Sequence, residues 1–158
     1  MDKLNCSVAE ISELVDELID ENAVLPFYVS GSSMNPFLIS RRDIVYLKKP
    51  QPDDLKKGRI LLFRRKDGAL VLHRVKCVLN DSVFVMLGDA QSQTEKIDKA
   101  QIVAVVSEIE RKGKIRKAES SYWKTIYAIW RMLTPFRPFI MRVWFKIRRI
   151  KRKNQAEF

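Results

Sequence analysis

The sequence predicts a mainly β domain with an amphipathic helix before it and a basic helical segment after it. Three patterns indicate this architecture. Short runs of valine, isoleucine, leucine and phenylalanine alternate with turn residues between residues 43 and 109. Residues 1–24 repeat apolar side chains at helical spacing, and two aromatic helical stripes follow residue 120. With 158 residues and 46% hydrophobic content, the chain is long enough for one domain with a substantial core.

The N-terminal segment, residues 1–28, is predicted to be an amphipathic helix rather than a signal peptide. Its apolar positions between Val8 and Ile19 face away from a row of acidic residues, and Ser7 with Glu10 forms a capping-box pattern. Such a helix suits packing on its own domain or docking on a partner, and we favour the first. Because this segment contains neither a signal peptide nor a membrane span, we expect the protein to face the cytoplasm.

The central segment, residues 29–110, contains the predicted strands. They lie at residues 43–47, 59–64, 69–79, 82–87 and 102–109. The second and third are predicted to form a hairpin around Gly68, because glycine accepts the positive φ that such turns need. Alternation along the third strand places His73 on one face with Val71, Val75 and Cys77.

A serine-rich turn at residues 29–38 is the most distinctive part of this segment. It reads Val-Ser-Gly-Ser-Ser-Met-Asn-Pro-Phe-Leu, and we predict that it presents Ser33 as a nucleophile. The chain has a single histidine, His73, and a Gly-Asp turn with Asp89, so a nucleophile, a base and an orienting acid follow in order. Burial of His73 would lower its pKa and keep it neutral. Each residue also has a structural interpretation: a loop serine, a core histidine and a turn aspartate.

Four short motifs stand in the same order as the sequence boxes of a known enzyme family. They are Gly-Ser-Ser-Met-Asn-Pro at residues 31–36, Lys-Gly-Arg-Ile-Leu-Leu-Phe at 57–63, Leu-His-Arg-Val at 72–75 and Gly-Asp at 88–89. Together they resemble the boxes of type I signal peptidases and their relatives, over about residues 29–109. The bacterial enzymes have a lysine at the position of His73, so this chain is similar to the Ser-His subtype found in the endoplasmic reticulum, archaea and some bacteria.

The resemblance implies a signal-peptidase-like β fold and a serine endopeptidase that cleaves a signal or leader peptide after small residues. Residue by residue, Ser33 matches the nucleophile, His73 the general base and Asp89 the supporting acid. In the subtype a second acidic residue follows the Gly-Asp box, and Glu95 is the nearest match, with Asp98 next. The resemblance implies no cofactor or metal.

The neighbours of Ser33 are weaker candidates for the site. The backbone N–H of Ser33 is the simplest oxyanion donor, and Ser32 or Ser30 could add a hydroxyl. Met34 and Phe37 suit the apolar floor of a substrate groove, although core packing is the more common use of such residues.

The chain departs from the family pattern at two motif positions and at its start. Phe37 stands where the family usually has threonine, and Arg59 replaces a common aspartate. The membrane-spanning anchor that these enzymes normally carry is also missing from the N-terminal segment. This last difference is the larger one, and it bears on location and substrate more than on the chemistry.

Residues 111–119 are predicted to be a basic linker, and residues 120–158 an aromatic helical tail that carries most of the net charge of +11. Ten lysines and arginines and no acidic residue lie between Ser120 and Lys153. Apolar aromatic residues on one helix face and cations on the other are typical of a helix in a membrane interface. A basic aromatic segment also suits nucleic acid. We favour an anionic membrane surface, because the three tryptophans lie on the apolar stripes.

Two classes of function remain open at this point. One is the peptidase, peripherally bound to a membrane and acting on a peptide or protein with a signal or leader segment. The other is a binding or regulatory module that keeps the fold without the chemistry and is held at a membrane by the tail. Cys6 and Cys77 lie far apart, and with one histidine in the chain a zinc site is not expected. The sequence gives no oligomeric state.

Overall fold

The computed structural model describes residues 15, 17 and 23–154. Eight strands are followed by two helices, which confirms that the protein is mainly β. The strands are β1 (Leu25–Tyr28), β2 (Asp43–Lys48), β3 (Ile60–Arg64), β4 (Leu70–Asn80), β5 (Val83–Leu87), β6 (Thr94–Asp98), β7 (Ile102–Arg111) and β8 (Lys114–Lys117). The helices are α1 (Ser121–Met132) and α2 (Arg137–Asn154). Single 3₁₀ turns lie at Pro52–Asp54, Lys99–Gln101 and Thr134–Phe136.

All strands belong to one antiparallel sheet in the order β1-β2-β7-β3-β4-β5-β6, with β8 paired to β7. The predicted hairpin is β3–β4, in which Leu61 lies opposite His73. Three strands were not predicted. β8 lies where we expected a linker, and its four residues are all exposed, so it lacks the apolar alternation that marks a strand. β6 buries only Ile97, and β1 has four residues including a proline.

Two apolar clusters cover the opposite faces of the sheet. Alternate residues of β3 divide between them: Ile60 and Leu62 face the first cluster, whereas Leu61 and Phe63 face the second. The buried members of the second cluster all come from strands β3 to β7. No helix of the described residues contributes a buried member to this cluster, and Leu55 of the loop before β3 packs against it. Burial on both faces explains why β3 reads as a continuous apolar run.

The two C-terminal helices complete the first cluster. Trp123 and Trp130 of α1 and Met141 of α2 are buried there. The expectation that the tryptophan stripe of the tail faces a membrane is therefore corrected for α1, because Trp123 and Trp130 pack on the domain. No helix of the described residues is long and apolar enough to cross a membrane.

The predicted N-terminal helix and its capping box lie mostly outside the described residues. Two of its residues are described. Val15 is helical and buried in the first cluster, whereas Glu17 is helical and exposed. At these two positions the apolar side chain faces the domain and the acidic one faces solvent, as the periodicity predicted.

Candidate active site

Ser33 lies in the irregular turn that joins β1 to β2. The turn uses Gly31 at a φ of +76°, a backbone conformation that favours glycine. Its far end is held by the buried carboxylate of Asp43, which accepts a hydrogen bond from the Ile39 N–H and binds the guanidinium groups of Arg42 and Arg111. The nucleophile candidate thus lies on a loop that is anchored to the sheet.

The Gly-Asp turn at residues 88–89 lies directly against Ser33. The Ala90 N–H donates to the Ser33 carbonyl at 2.8 Å. A Cβ atom at Gly88 would lie 2.8 Å from the same carbonyl oxygen, closer than any side chain allows. Only glycine permits this approach, so the geometry explains the glycine of this motif and joins it to the serine motif.

His73 lies on β4, and the residue is only 2% exposed. Its ring packs 5.9 Å from that of Phe63 in the second cluster. Ser33 and His73 line one pocket of about 230 Å³, which Phe27 of β1 and Leu72 of β4 also border. The structure therefore places these two predicted residues in the same pocket.

Glu95 of β6 is the carboxylate beside His73. Its Oε1 lies 2.9 Å from His73 Nδ1, although the direction of the N–H is too bent for a regular hydrogen bond. Arg65 at the start of the β3–β4 turn binds both oxygens of the same carboxylate, each at 2.7 Å. Arg65 was not predicted, and it fixes Glu95 against the imidazole.

Asp89 does not take the position that we first expected for it. Its carboxylate oxygens accept two hydrogen bonds from the Arg74 guanidinium, at 3.0 and 2.8 Å, and both side chains are buried. Arg74 also donates to the Gly58 carbonyl. Asp89 is therefore a buried ion-pair partner, and the contact with His73 belongs to Glu95, the second acidic candidate. Asp98 is exposed and caps the 3₁₀ turn at Lys99–Gln101.

The four weaker candidates lie in the pocket, in the core or at the surface. Ser30 and Met34 line the pocket with Ser33, and Met34 is buried. Ser32 is exposed, and its carbonyl accepts the Asn35 N–H. Phe37 packs edge-on against the Trp130 ring of α1 at 5.8 Å, so it serves the core and not the groove floor.

Burial lowers the pKa of His73 below its ordinary value of about 6.5, as predicted. The negative charge of Glu95 acts in the opposite direction, and the positive charge of Arg65 adds to the decrease. The pKa of the Glu95 carboxyl is itself lowered, first by its hydrogen bonds from Arg65. At neutral pH the imidazole is thus neutral beside an ionised carboxylate, which is the state that a general base needs.

The effect of Glu95 on His73 gives a first prediction. In Glu95→Gln the pKa of His73 should fall further, because the stabilising negative charge is gone. The single histidine of the chain gives one unambiguous NMR titration curve in protein without a histidine tag. Asp98→Asn is the matched control and should leave the curve unchanged. Equal shifts in both variants, or none in Glu95→Gln, would contradict the assigned contact.

Comparisons of the chain with protein-family models, with curated proteins and with solved structures found no match. The likeness to signal peptidases therefore stays a prediction from the four motifs.

Proposed function

We propose that the protein is a serine endopeptidase of the signal-peptidase type, with Ser33 as nucleophile and His73 as general base. The observation that carries the proposal is that Ser33 and His73 line one pocket, while the Glu95 carboxylate lies 2.9 Å from Nδ1 of the imidazole. This is the arrangement of a nucleophile, a base and an orienting group.

In the proposed mechanism His73 accepts the proton of Ser33 through Nε2, since Nδ1 faces Glu95. The Ser33 oxygen attacks a peptide carbonyl, and the Ser33 N–H, helped by the Ser30 hydroxyl, stabilises the oxyanion. His73 then protonates the leaving amine, which leaves an acyl-enzyme that water hydrolyses. Glu95 stabilises the transient imidazolium. Arg65 keeps Glu95 ionised and in place.

The pocket supports a small apolar residue next to the scissile bond. It measures about 230 Å³, and its apolar walls include Val29, Met34 and Leu72. Phe27 lies on edge strand β1, and Leu70 begins β4, so strand residues border the pocket. An extended peptide along such an edge gains backbone hydrogen bonds while its alternate side chains enter the pocket. A signal or leader peptide with small residues at the cut fits this description.

The test is cleavage of a mixed peptide library with signal-peptide-like segments, read by mass spectrometry. Wild type, Ser33→Ala and His73→Ala are compared, with lipid vesicles added. Products from the wild type alone support the peptidase and give the residues that flank the cut. If all three folded proteins leave the library intact, the binding-module alternative replaces the peptidase.

A specific surface favours the further proposal that the protein binds an anionic membrane peripherally. Phe139, Val143 and Ile147 lie one turn apart on the exposed side of α2, where Phe139 is 70% exposed. Exposed Arg142 and Lys146 lie beside this stripe. Apolar side chains that enter a bilayer next to cations that meet acidic headgroups are the features of an interfacial helix. The contact residues differ from the tryptophans that the sequence suggested, because Trp123 and Trp130 are buried.

Replacing Phe139 of this surface together with Phe136, which is 62% exposed in the 3₁₀ turn just before α2, should weaken vesicle binding. The variant Phe136→Ser/Phe139→Ser should bind phosphatidylglycerol vesicles about tenfold or more weakly, since burial of each phenylalanine contributes roughly 1.5–3 kcal/mol. Co-sedimentation with vesicles measures the effect. Leu79→Ser, on an equally apolar but separate exposed position of β4, is the control and should bind normally. Equal binding by all three proteins would rule out this surface.

A further inference from the structure

Arg137, the first residue of α2, is a buried cation that uses only part of its hydrogen-bonding capacity. Its side chain is 3% exposed, and its Nε and Nη1 atoms are buried without a hydrogen-bond partner. The guanidinium lies 5.4 Å from the Trp130 ring centroid. A buried guanidinium normally has an anion beside it, because removing the charge from water is costly.

The carboxylate of Asp89, which acts on Arg137, already has a cationic partner. The negative charge of Asp89 stabilises the charged form of Arg137. However, the two Asp89 oxygens bind Arg74, and the positive charge of Arg74 disfavours the charged form of Arg137. The Asp89–Arg74 ion pair therefore offsets little of the desolvation cost of the Arg137 charge. Desolvation accordingly lowers the pKa of Arg137.

Arg137 lines a cleft of about 530 Å³ between the start of α2 and the loop that leads into β6. Arg65 and Glu95 also line the cleft but neutralise each other through two hydrogen bonds. Exposed Arg142 adds a second cation, and Met141 and Phe145 supply apolar walls. The cleft is thus positive and partly apolar, and the buried Arg137 is one of its lining residues.

The cleft adjoins the proposed catalytic pocket. Arg65 and Gln91 line both cavities. A peptide bound in the smaller pocket can therefore reach the larger cleft within a few residues, since an extended chain advances about 3.3 Å per residue.

We propose that this cleft is a substrate subsite for an acidic residue, whose carboxylate binds Arg137 and Arg142. The carboxylate supplies the missing acceptor for the buried guanidinium, and its methylene groups contact Met141 and Phe145. The subsite rests on the proposed peptidase function. It adds to that function a preference for substrates with glutamate or aspartate near the cut.

Peptide binding by the full-length Ser33→Ala protein tests the subsite without requiring turnover. Fluorescein-labelled decapeptides with small residues in the centre are prepared in pairs, with Glu or Gln scanned through each remaining position, and fluorescence anisotropy is measured. At one position the Glu peptide should bind about tenfold more tightly than its Gln partner, as for a charge-assisted contact. Arg137→Gln, added to Ser33→Ala, should remove this difference. Arg137→Lys should restore part of it.

Two controls make the outcome specific. Arg149→Gln changes an exposed cation of the same helix outside the cleft, and it should keep the Glu preference. Inorganic phosphate should compete with the Glu peptide in the Ser33→Ala protein but not after Arg137→Gln. Circular dichroism verifies that each variant is folded.

The results separate this proposal from the peptidase itself. Equal binding of Glu and Gln peptides at all positions would overturn the subsite, even if the wild type cleaves peptides. An Arg137-dependent Glu preference without any cleavage by the wild type would support the subsite and contradict the peptidase. If Arg137→Gln weakens binding to phosphatidylglycerol vesicles and leaves peptide binding unchanged, the cleft binds a lipid headgroup, and the peptide subsite is wrong.

Discussion

Ser33→Ala should reduce peptide cleavage by at least about 10³-fold, because it removes the proposed nucleophile. Its folding should not change. The bond that joins this turn to the Gly-Asp turn uses the Ser33 carbonyl, which alanine retains. The rate of product formation from a library-derived peptide, measured by mass spectrometry, gives the effect.

Ser32→Ala is a matched control one residue away. The Ser32 side chain is exposed and lies outside the pocket lining, so this variant should cleave within about twofold of the wild type. Undiminished cleavage by Ser33→Ala would eliminate Ser33 as the nucleophile. An equal loss in both variants would indicate damage to the turn rather than to the chemistry.

Asp89→Ala should lower the free energy of unfolding by about 3–5 kcal/mol, because it leaves the buried Arg74 guanidinium without its anion. The Asp89 carboxylate is only 2% exposed. Urea denaturation measures the loss. Adding Arg74→Met should recover part of the stability, since the unpaired charge is then removed as well.

Glu95→Gln provides the comparison for Asp89. The ion pair between Glu95 and Arg65 is more exposed than that of Asp89 with Arg74. Glu95→Gln should therefore lower the free energy of unfolding by less than about 1 kcal/mol. The two carboxylates thus have different roles. Loss of Asp89 should lower the stability of the protein, whereas loss of Glu95 should lower the pKa of His73. A stable Asp89→Ala protein with the His73 pKa shift expected of Glu95→Gln would reverse these roles.

Much of the sheet could be predicted from the sequence because most of its strands carry local signals, such as apolar runs and turn residues. β3 is an apolar run, and β4 follows a turn with Gly68, so their hairpin has clear signals. β6 and β8 lack them, because their side chains are mostly exposed and their formation depends on pairing with β5 and β7. That pairing is a tertiary effect.

The sequence named Glu95 as a second acidic candidate, but for the same reason it could not show that Glu95 rather than Asp89 contacts His73. Glu95 reaches the imidazole through β6, a strand that the sequence pattern does not reveal, whereas Asp89 stands in a recognisable Gly-Asp motif. Sequence order alone could not show that Arg74 binds Asp89. The Ser33 turn and the Gly-Asp turn were predicted correctly as separate features, and Gly88 joins them.

The two departures from the family motifs have one structural explanation. Phe37 packs on Trp130 of α1. Arg59 binds Asp54 and also Glu119, which lies two positions before the start of α1. Phe37 therefore contacts α1, and Arg59 contacts the segment that leads into it. The Trp130 N–H also donates to the Asp89 carbonyl. The helices thus support the turn behind Ser33, a role that the predicted tail did not include.

The central claim is that His73, held by Glu95, is the base that activates Ser33. Its most direct test is the pH dependence of kcat/KM, measured beside the NMR titration of His73. Activity should be lost as the pH falls through the pKa of His73, because only the neutral imidazole accepts the proton, and this midpoint should lie below about 6.5. In Glu95→Gln both the kinetic and the NMR midpoints should move together to lower pH. A kinetic midpoint that stays fixed while the His73 pKa moves would contradict the claim.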